Sequence, residues 1–451
     1  MTTHPKTTAT SKPINFFKGH PSFRLLPREA IIEATTQLLS PEVRDFDDRN
    51  EDRHPLTYGP DEGSLWVRTA IADFNNTCFQ LAEEKMKSKA EYINLTAGAS
   101  YGVMNILQQT TLPHTGYTRQ AFLVSPTYFL INETFIDSGF GGKLTAIEEL
   151  GHGKIDLETL EKKIKYFDSI SVDHPSDLDL ITAPNSSKKV YRYVIYLIPT
   201  YSNPGGQTYS LETRIKLIEL ARKHDMLIIS DDVYDLLKYD DPLDKLPRPL
   251  PRLTHLDRLS YENGESGYGN TVSNATFSKL IAPGLRFGCQ ETVNRNLAWQ
   301  LSQGGANVSG GTPSQLNSMI VGTLLNSGKA TEVIGNLRKE YLLRSTTLYE
   351  AIKKYLPRDT KYDMQLGGYF SWCTLPEGYN CKEIQDELEK RYNVILANGS
   401  SFEVIGDEKN WGQRSVRLSI SFLESQDIEK GIKLWGSICE EYAIKHNLSF
   451  R

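Results

Sequence analysis

Between Tyr92 and Asp231 the chain alternates short apolar runs with longer amphipathic stretches, and no other feature restricts its fold as much. The runs are Tyr92-Ile93-Asn94-Leu95-Thr96, Ala121-Phe122-Leu123-Val124-Ser125, Tyr193-Val194-Ile195-Tyr196-Leu197-Ile198 and Leu227-Ile228-Ile229-Ser230. Each has strand length and is nearly continuous in apolar residues, the pattern of a strand covered on both faces. Between them lie helical stretches. One follows Ala97-Gly98-Ala99-Ser100 with Val103, Ile106 and Leu107. Another has Ser210 as its cap, Leu211, Ile215, Ile218 and Ala221 on a shared face, and Arg222, Lys223 and His224 at its C-terminal end. This spacing predicts βαβ units and a largely parallel sheet. In such sheets ligands bind beyond the carboxyl ends of the strands. The polar residues that follow each run are therefore where chemistry is expected.

The flanks read differently. A helix is predicted over about 27–39 with Ile31, Ile32, Thr35, Leu38 and Leu39 as its stripe, closed by Pro41. A charged irregular segment (44–54) leads to the turn Tyr58-Gly59-Pro60, and a second helix is predicted from Ser64 to about Lys87. From about residue 325 the pattern becomes a long helix, the run Gly368-Tyr369-Phe370-Ser371-Trp372, another helix, and Val416-Arg417-Leu418-Ser419. Residues 168–189 and 240–270 read as surface excursions. The expected division is a disordered tail at 1–13, an N-terminal arm with part of a small domain at 14–55, a large domain at 56–325 and a C-terminal small domain at 326–451.

Composition narrows the partners. A formal net charge of −5 calls for neither nucleic acid nor an anionic membrane. No apolar run approaches the roughly 18 residues of a spanning helix. The five cysteines are scattered, with neither zinc-ligand spacing nor a disulfide framework, which fits a reducing compartment. The first 28 residues lack Asp and Glu, as a mitochondrial presequence does, but Pro5 and Pro13 oppose the amphipathic helix a presequence needs. The expected location is the cytoplasm, ahead of the mitochondrion.

The most informative segment for chemistry runs from Ser273 to Gly288. It opens as a strand, reaches Thr276, Ser278 and Lys279, crosses Pro283-Gly284 and delivers Arg286. Hydroxyls, one lysine and one arginine around a turn suit a phosphate-bearing carbonyl compound. The lysine can condense with the carbonyl as a Schiff base, and the hydroxyls and arginine can hold the phosphate. This segment resembles the lysine motif of class I/II aminotransferases, the fold type I enzymes that use pyridoxal 5'-phosphate (PLP). The resemblance runs from about Phe16 to the end of the chain and looks closest to the aminoadipate, kynurenine and aromatic branch. It implies an α/β fold with a mostly parallel seven-stranded sheet in the large domain, a small α/β domain, and a homodimer with shared active sites.

The resemblance also assigns roles. Lys279 would carry the cofactor and move the substrate proton. Asp231, in Ser230-Asp231-Asp232-Val233-Tyr234, would pair with the pyridine nitrogen; it is preferred to Asp232 because it lies three residues before Tyr234. A carboxylate there keeps the ring protonated and electron-withdrawing. Tyr234 and Asn203, the latter in Asn203-Pro204-Gly205-Gly206, would bond the phenolic oxygen. Tyr128 would stack on the ring. Ala99 and Ser100, at a helix start, would join Thr276, Ser278 and Arg286 on the phosphate. Members of the family often have a serine where Ala99 stands. Tyr58 would reach the phosphate of the other subunit. Arg417 would grip the substrate carboxylate, with Gly19 and Asn203 beside it. Arg24 is a candidate for a second, side-chain carboxylate. The implied activity is amino-group transfer from an α-amino acid to an α-oxo acid, with 2-aminoadipate, kynurenine and aromatic amino acids as candidate donors. A β-eliminating lyase or a decarboxylase on the same fold remains the alternative, because the same lysine and aspartate serve all three.

Overall fold

The computed structural model describes residues 12–40, 52–171, 188–262, 267–311, 313–407 and 409–450. Most of the expected tail, of the charged segment at 44–54 and of the excursion at 168–189 lies outside them. The chain enters through Ile14–Asn15 (β1). Its central sheet is then built from Ile93–Thr96 (β2), Gln120–Ser125 (β3), Leu144–Gly151 (β4), Lys154–Ile155 (β5), Tyr193–Leu197 (β6), Met226–Asp232 (β7), Thr271–Thr276 (β8) and Gly288–Thr292 (β9). Their order is β2-β9-β8-β7-β6-β3-β4-β5. β3, β4, β6, β7 and β8 pair in parallel, while β9 runs antiparallel between β2 and β8. The eighth strand, β5, is a two-residue hairpin partner of β4, too short to register as an apolar run.

Alternation along buried strands divides the core between the two faces of this sheet. Tyr193, Ile195, Leu197 and Ile228 belong to one cluster; Val194, Tyr196, Leu227 and Ile229 belong to the other. The C-terminal part adds Phe370–Thr374 (β10), Val394–Ile395 (β11), Ala397–Asn398 (β12) and Ser415–Ser419 (β13). β13 lies antiparallel between β10 and β12, and β1 pairs in parallel with β11. Among the described residues, no helix is long and apolar enough to cross a membrane.

Three local expectations are corrected. The helix expected over Ser64–Lys87 stops at Phe79, because Gln80 turns left-handed at φ 51°. The helix Leu211–Lys223 is capped by Ser210 as expected, but it buries Thr213, Arg214, Leu217, Ile218 and Ala221 and leaves Leu211 and Ile215 exposed. Its buried face contains Arg214, whose guanidinium is matched by Pro199 O, Tyr209 O, Pro251 O and Thr200 Oγ1. Third, the 240–270 stretch is not a surface excursion throughout. Leu253–Ser260 is a helix whose Leu253, Thr254, His255, Asp257 and Arg258 are buried.

That helix helps anchor a buried charge network. Arg258 Nη2 donates to Glu291 Oε1 at 2.8 Å, and Ser88 Oγ donates to the same oxygen at 2.7 Å. Arg252 Nε donates to Asp235 Oδ2 at 2.7 Å. Burial works to raise the Glu291 pKa, but Arg258, His255 and Arg252 together outweigh it and hold the carboxyl far below its usual range. Removing one partner of a buried pair strands the other charge, at about 3–5 kcal/mol. Glu291→Ala is expected to lose about that much stability, measured as a lower urea midpoint at neutral pH. Because the folded pKa is depressed, this contribution is complete above the unfolded value of about 4.3 and is lost as pH falls below it. The two proteins should therefore converge in acid, and a gap that persists there would contradict the assignment.

Candidate active site

The carboxyl ends of the central strands open on a cavity of about 540 Å³ that reaches β10 and β13. β7 delivers Asp231 to it and β8 delivers Lys279, three residues past the strand end. Tyr128 follows β3, Asn203 follows β6, and Ala99 and Ser100 follow β2. Apart from Tyr58 and Arg24, the predicted site residues all line this one cavity. Tyr58 lies elsewhere, with its ring against Gly310 and 72% exposed.

Asp231 is buried, accepting from Tyr196 Oη on Oδ2 at 2.7 Å and from Asn274 Nδ2 on Oδ1 at 2.8 Å. Burial pushes its pKa up to about 6 against the pull of these two donors. Both donors escaped the sequence reading, since neither lies near Asp231 in the chain. Sheet register brings them in. Asn274 is the direct partner of Asp231 across β7 and β8. Tyr196 is the partner of Ile229, two residues before Asp231 and on the same face. Neither strand marks its donor out in the sequence, since β6 also contains Tyr193 and β8 also contains Thr271, Ser273 and Thr276.

Lys279 Nζ donates to Gly19 O at 3.2 Å, and Tyr369 Oη fixes the Lys279 carbonyl at 3.0 Å. Burial lowers the Lys279 pKa to about 8, with nearby Asp231 opposing it. Gly19 has no room for a side chain, because a Cβ there would stand 2.6 Å from Phe370 Cζ.

The opposite wall suits an anion. Gly98, at φ +96°, starts the helix Ala99–Thr110, whose first N–H groups have no acceptor within the helix. A Cβ on Gly98 would lie 2.6 Å from Arg286 Nη2. Thr276 Oγ1 donates to Ser278 Oγ at 2.9 Å, and Arg286 Nη1 donates to Ser278 Oγ at 3.3 Å. A helix terminus, two hydroxyls and a guanidinium fit a phosphate, and a lysine with a lowered pKa fits an aldehyde. Buried Asp231 fits a protonated ring nitrogen. The donor set therefore fits PLP.

Arg417, on β13, sits across from these groups. Its Nη1 donates to Asn203 Oδ1 at 3.0 Å, its Nη2 donates to Phe17 O at 2.6 Å, and Phe370 lies 4.0 Å from its guanidinium carbon. Among the described residues it has no carboxylate partner, and its Nε has no acceptor. Burial lowers its pKa to about 10. A buried, always-cationic fork with free donors is suited to bidentate capture of a carboxylate. Tyr234 is buried, hydrogen-bonded to Asn203, and its phenol is pushed above the ordinary range mainly by burial. Arg24 is not a second carboxylate site. It pairs with Glu340 and Glu424 at an exposed position and does not line the cavity.

The model of the family "Aminotransferase class I and II" matches residues 12–433. The chain is 59% identical over 440 residues to an uncharacterized protein of Saccharomyces cerevisiae, covering 97% of this chain and 99% of that one. It is 24% identical to the 2-aminoadipate transaminase of Thermus thermophilus, over 94% of this chain and 89% of the relative. Among solved structures it is similar to the kynurenine aminotransferase of Pyrococcus horikoshii, with a TM-score of 0.74 and 23% identity over 96% of this chain and 92% of that one.

The lowered Lys279 pKa makes a prediction. At pH 7 the amine is mostly protonated; its nucleophilic form accumulates as pH rises through about 8. Capture of PLP by cofactor-stripped protein, trapped with borohydride and mapped by mass spectrometry, should label Lys279. Its initial rate should rise through an inflection near pH 8. A label on another lysine, or an inflection near that of a free lysine, about 10.4, would refute the assignment.

Proposed function

The chain belongs to the aminotransferase class I and II family, and from that premise we propose how its own residues carry out the transfer. It is a PLP-dependent enzyme that moves an amino group from an α-amino acid to an α-oxo acid. The observation that carries the proposal is the grouping of Lys279, Asp231 and Arg417 around one cavity, the last two buried. When bound, the cofactor supplies an electron sink for the carbanion left as Cα loses its proton. Thr276, Ser278, Arg286 and the N–H groups of Ala99 and Ser100 hold the phosphate. Tyr128 covers the ring. Asp231, kept in place by Tyr196 and Asn274, faces the ring nitrogen, and Tyr234 and Asn203 bond the phenolic oxygen. Arg417 fixes the α-carboxylate and so orients Cα toward the Lys279 amine. That amine, with a pKa near the working pH, takes the proton from Cα and returns it on the other side of the exchange.

Phe17, Phe129, Leu130, Ile131 and Phe370 form an apolar wall beside Arg417 and Tyr128. This wall suits a long or aromatic side chain, as in 2-aminoadipate, kynurenine and the aromatic amino acids. The enzyme acts as a cytoplasmic homodimer, a reading supported by five free cysteines and by exposed Leu56, Tyr58 and Val308. Residues 56–325 form its large domain, and residues 14–55 and 326–451 form the rest.

Incubation with a panel of amino donors and an oxo-acid acceptor should yield the donor's oxo acid and the acceptor's amino acid. Release of ammonia with pyruvate, or of carbon dioxide, would replace transamination with one of the alternatives. Arg417→Ala should lower kcat/KM for every α-amino acid by about 2–5 kcal/mol while the cofactor spectrum stays nearly unchanged. An unchanged rate at low substrate would remove Arg417 from the site.

A shared site is tested by mixing Lys279→Ala and Tyr58→Ala subunits, each impaired alone. If Tyr58 serves its neighbour, one site in each mixed dimer has both residues intact and activity returns. No recovery in verified mixed dimers would assign Tyr58 to its own chain or to neither.

A further inference from the structure

Lys279 has to keep one backbone position while its side chain does two things, bind the cofactor and carry the substrate proton. Its own stretch of chain does not secure that position. It lies in a turn beyond the end of β8, where Leu280 N and Ile281 N both donate to Phe277 O, at 3.3 and 2.8 Å. The Lys279 carbonyl takes no part in that turn. Among the described residues its donor is the hydroxyl of Tyr369, at 3.0 Å and from 90 residues further along the chain.

Tyr369 is fully buried and stands outside the cavity lining. Lys279 Nζ lies over its ring, 5.6 Å from the centroid, and the same ammonium donates to Gly19 O at 3.2 Å. An aromatic face attracts a cation without quenching it. Burial raises the Tyr369 phenol well above its ordinary range, so the hydroxyl remains a donor at any working pH. The tyrosine has little freedom of its own. Gly368 N donates to Leu237 O at 2.9 Å, Tyr239 Oη donates to Gly368 O, and Ile420 N donates to Tyr369 O at 3.1 Å. A Cβ on Gly367 would meet Tyr201 Cε2 at 2.2 Å, so the chain runs close against that ring. The rings of Tyr234 and Tyr341 each lie 5.4 Å from that of Tyr369. Tyr234, Leu237 and Tyr239 all follow β7, the strand that carries Asp231. Tyr369 therefore ties the turn of the reactive lysine to the strand of the ring-nitrogen carboxylate.

We propose that Tyr369 is a positioning residue for proton transfer: its hydroxyl fixes the backbone of Lys279 and its ring steadies the amine, so that the amine meets the substrate Cα at one distance. This rests on the transaminase reading of the cavity. Arg417, which takes the α-carboxylate, is held by other groups, Asn203 and Phe17 O. Substrate binding and proton transfer are thus supported separately. Without the hydroxyl, the Lys279 carbonyl loses its donor and the turn is free to shift.

The test is Tyr369→Phe, which removes the hydroxyl and keeps the ring. In the PLP-loaded enzyme, the single-turnover rate with an α-amino acid should fall about tenfold while the Kd from the same titration stays within about twofold. The retained Kd also shows that the variant is folded. In cofactor-stripped protein, the pH inflection for PLP capture should move from about 8 toward the free-lysine value of about 10.4, because the loosened amine gains solvent. The proposal fails if either the single-turnover rate or the inflection stays at its wild-type value. It fails equally if Kd weakens in step with the rate, which would leave Tyr369 a packing residue only. If borohydride fixes PLP on a lysine other than Lys279 in wild type, the transaminase reading of the cavity falls and takes this proposal with it.

Discussion

The cavity is organised by a carboxylate, Asp231, that is buried with no cation in hydrogen-bond contact. An isolated charge in such a place is costly, and the usual outcome is a raised pKa and neutralisation. The fold stops part-way. Donors from Tyr196 and Asn274 support the ionised form, while burial resists it, and the balance falls near 6. A cationic ring nitrogen would tip that balance to the carboxylate. The site is therefore incomplete in charge without its cofactor. The same holds for Arg417, a buried guanidinium with no carboxylate of its own among the described residues. Groups of opposite sign are kept apart in one cavity, so each stays available to a ligand instead of quenching the other. Two extensive apolar clusters, one on each face of the sheet, supply the stability that tolerates this.

Strand alternation separates two neighbouring aspartates into different tasks. Asp231 faces the cavity. Asp232 points through the other face of β7, where it accepts from Ser230 Oγ at 2.8 Å and lies 3.9 Å from Arg252 Nε. Burial, only partly opposed by Arg252, pushes the Asp232 carboxyl up to about 7. Arg252 also holds Asp235, so the helix Leu253–Ser260 starts at a clamp beneath the active strand. The spacing to Tyr234 pointed to Asp231 in the sequence. The physical reason is that one residue along a strand exchanges cavity for core.

Local signals in the sequence located what local chemistry determines. Apolar runs marked β2, β3, β6 and β7, and Ser210 marked a helix start. The sequence Thr276-Phe277-Ser278-Lys279 with Arg286 marked the cofactor segment. What escaped depends on register between distant segments. Tyr196 and Asn274 gain their role only when β6, β7 and β8 align. Arg214 reads as a surface residue until the carbonyls of Pro199, Tyr209 and Pro251 converge on it. The stretch containing Arg252 and Arg258 looked like an excursion because its charges are buried through partners remote in the chain.

The donor inventory of Arg417 shows why a substrate can bind without dismantling the site. A guanidinium has five N–H donors. Two hydrogen bonds are made, to Asn203 Oδ1 and Phe17 O. Three donors remain, including the Nε hydrogen, which has no acceptor. A carboxylate bound in bidentate fashion needs only two. The Asn203 and Phe17 contacts can therefore persist while the α-carboxylate is held. Both acceptors are an amide or a backbone carbonyl, which do not titrate. The guanidinium itself stays charged throughout the neutral range, its pKa reaching down only to about 10. Substrate orientation is thus insulated from pH, and the proton chemistry is left to Lys279 and the amino group it acts on.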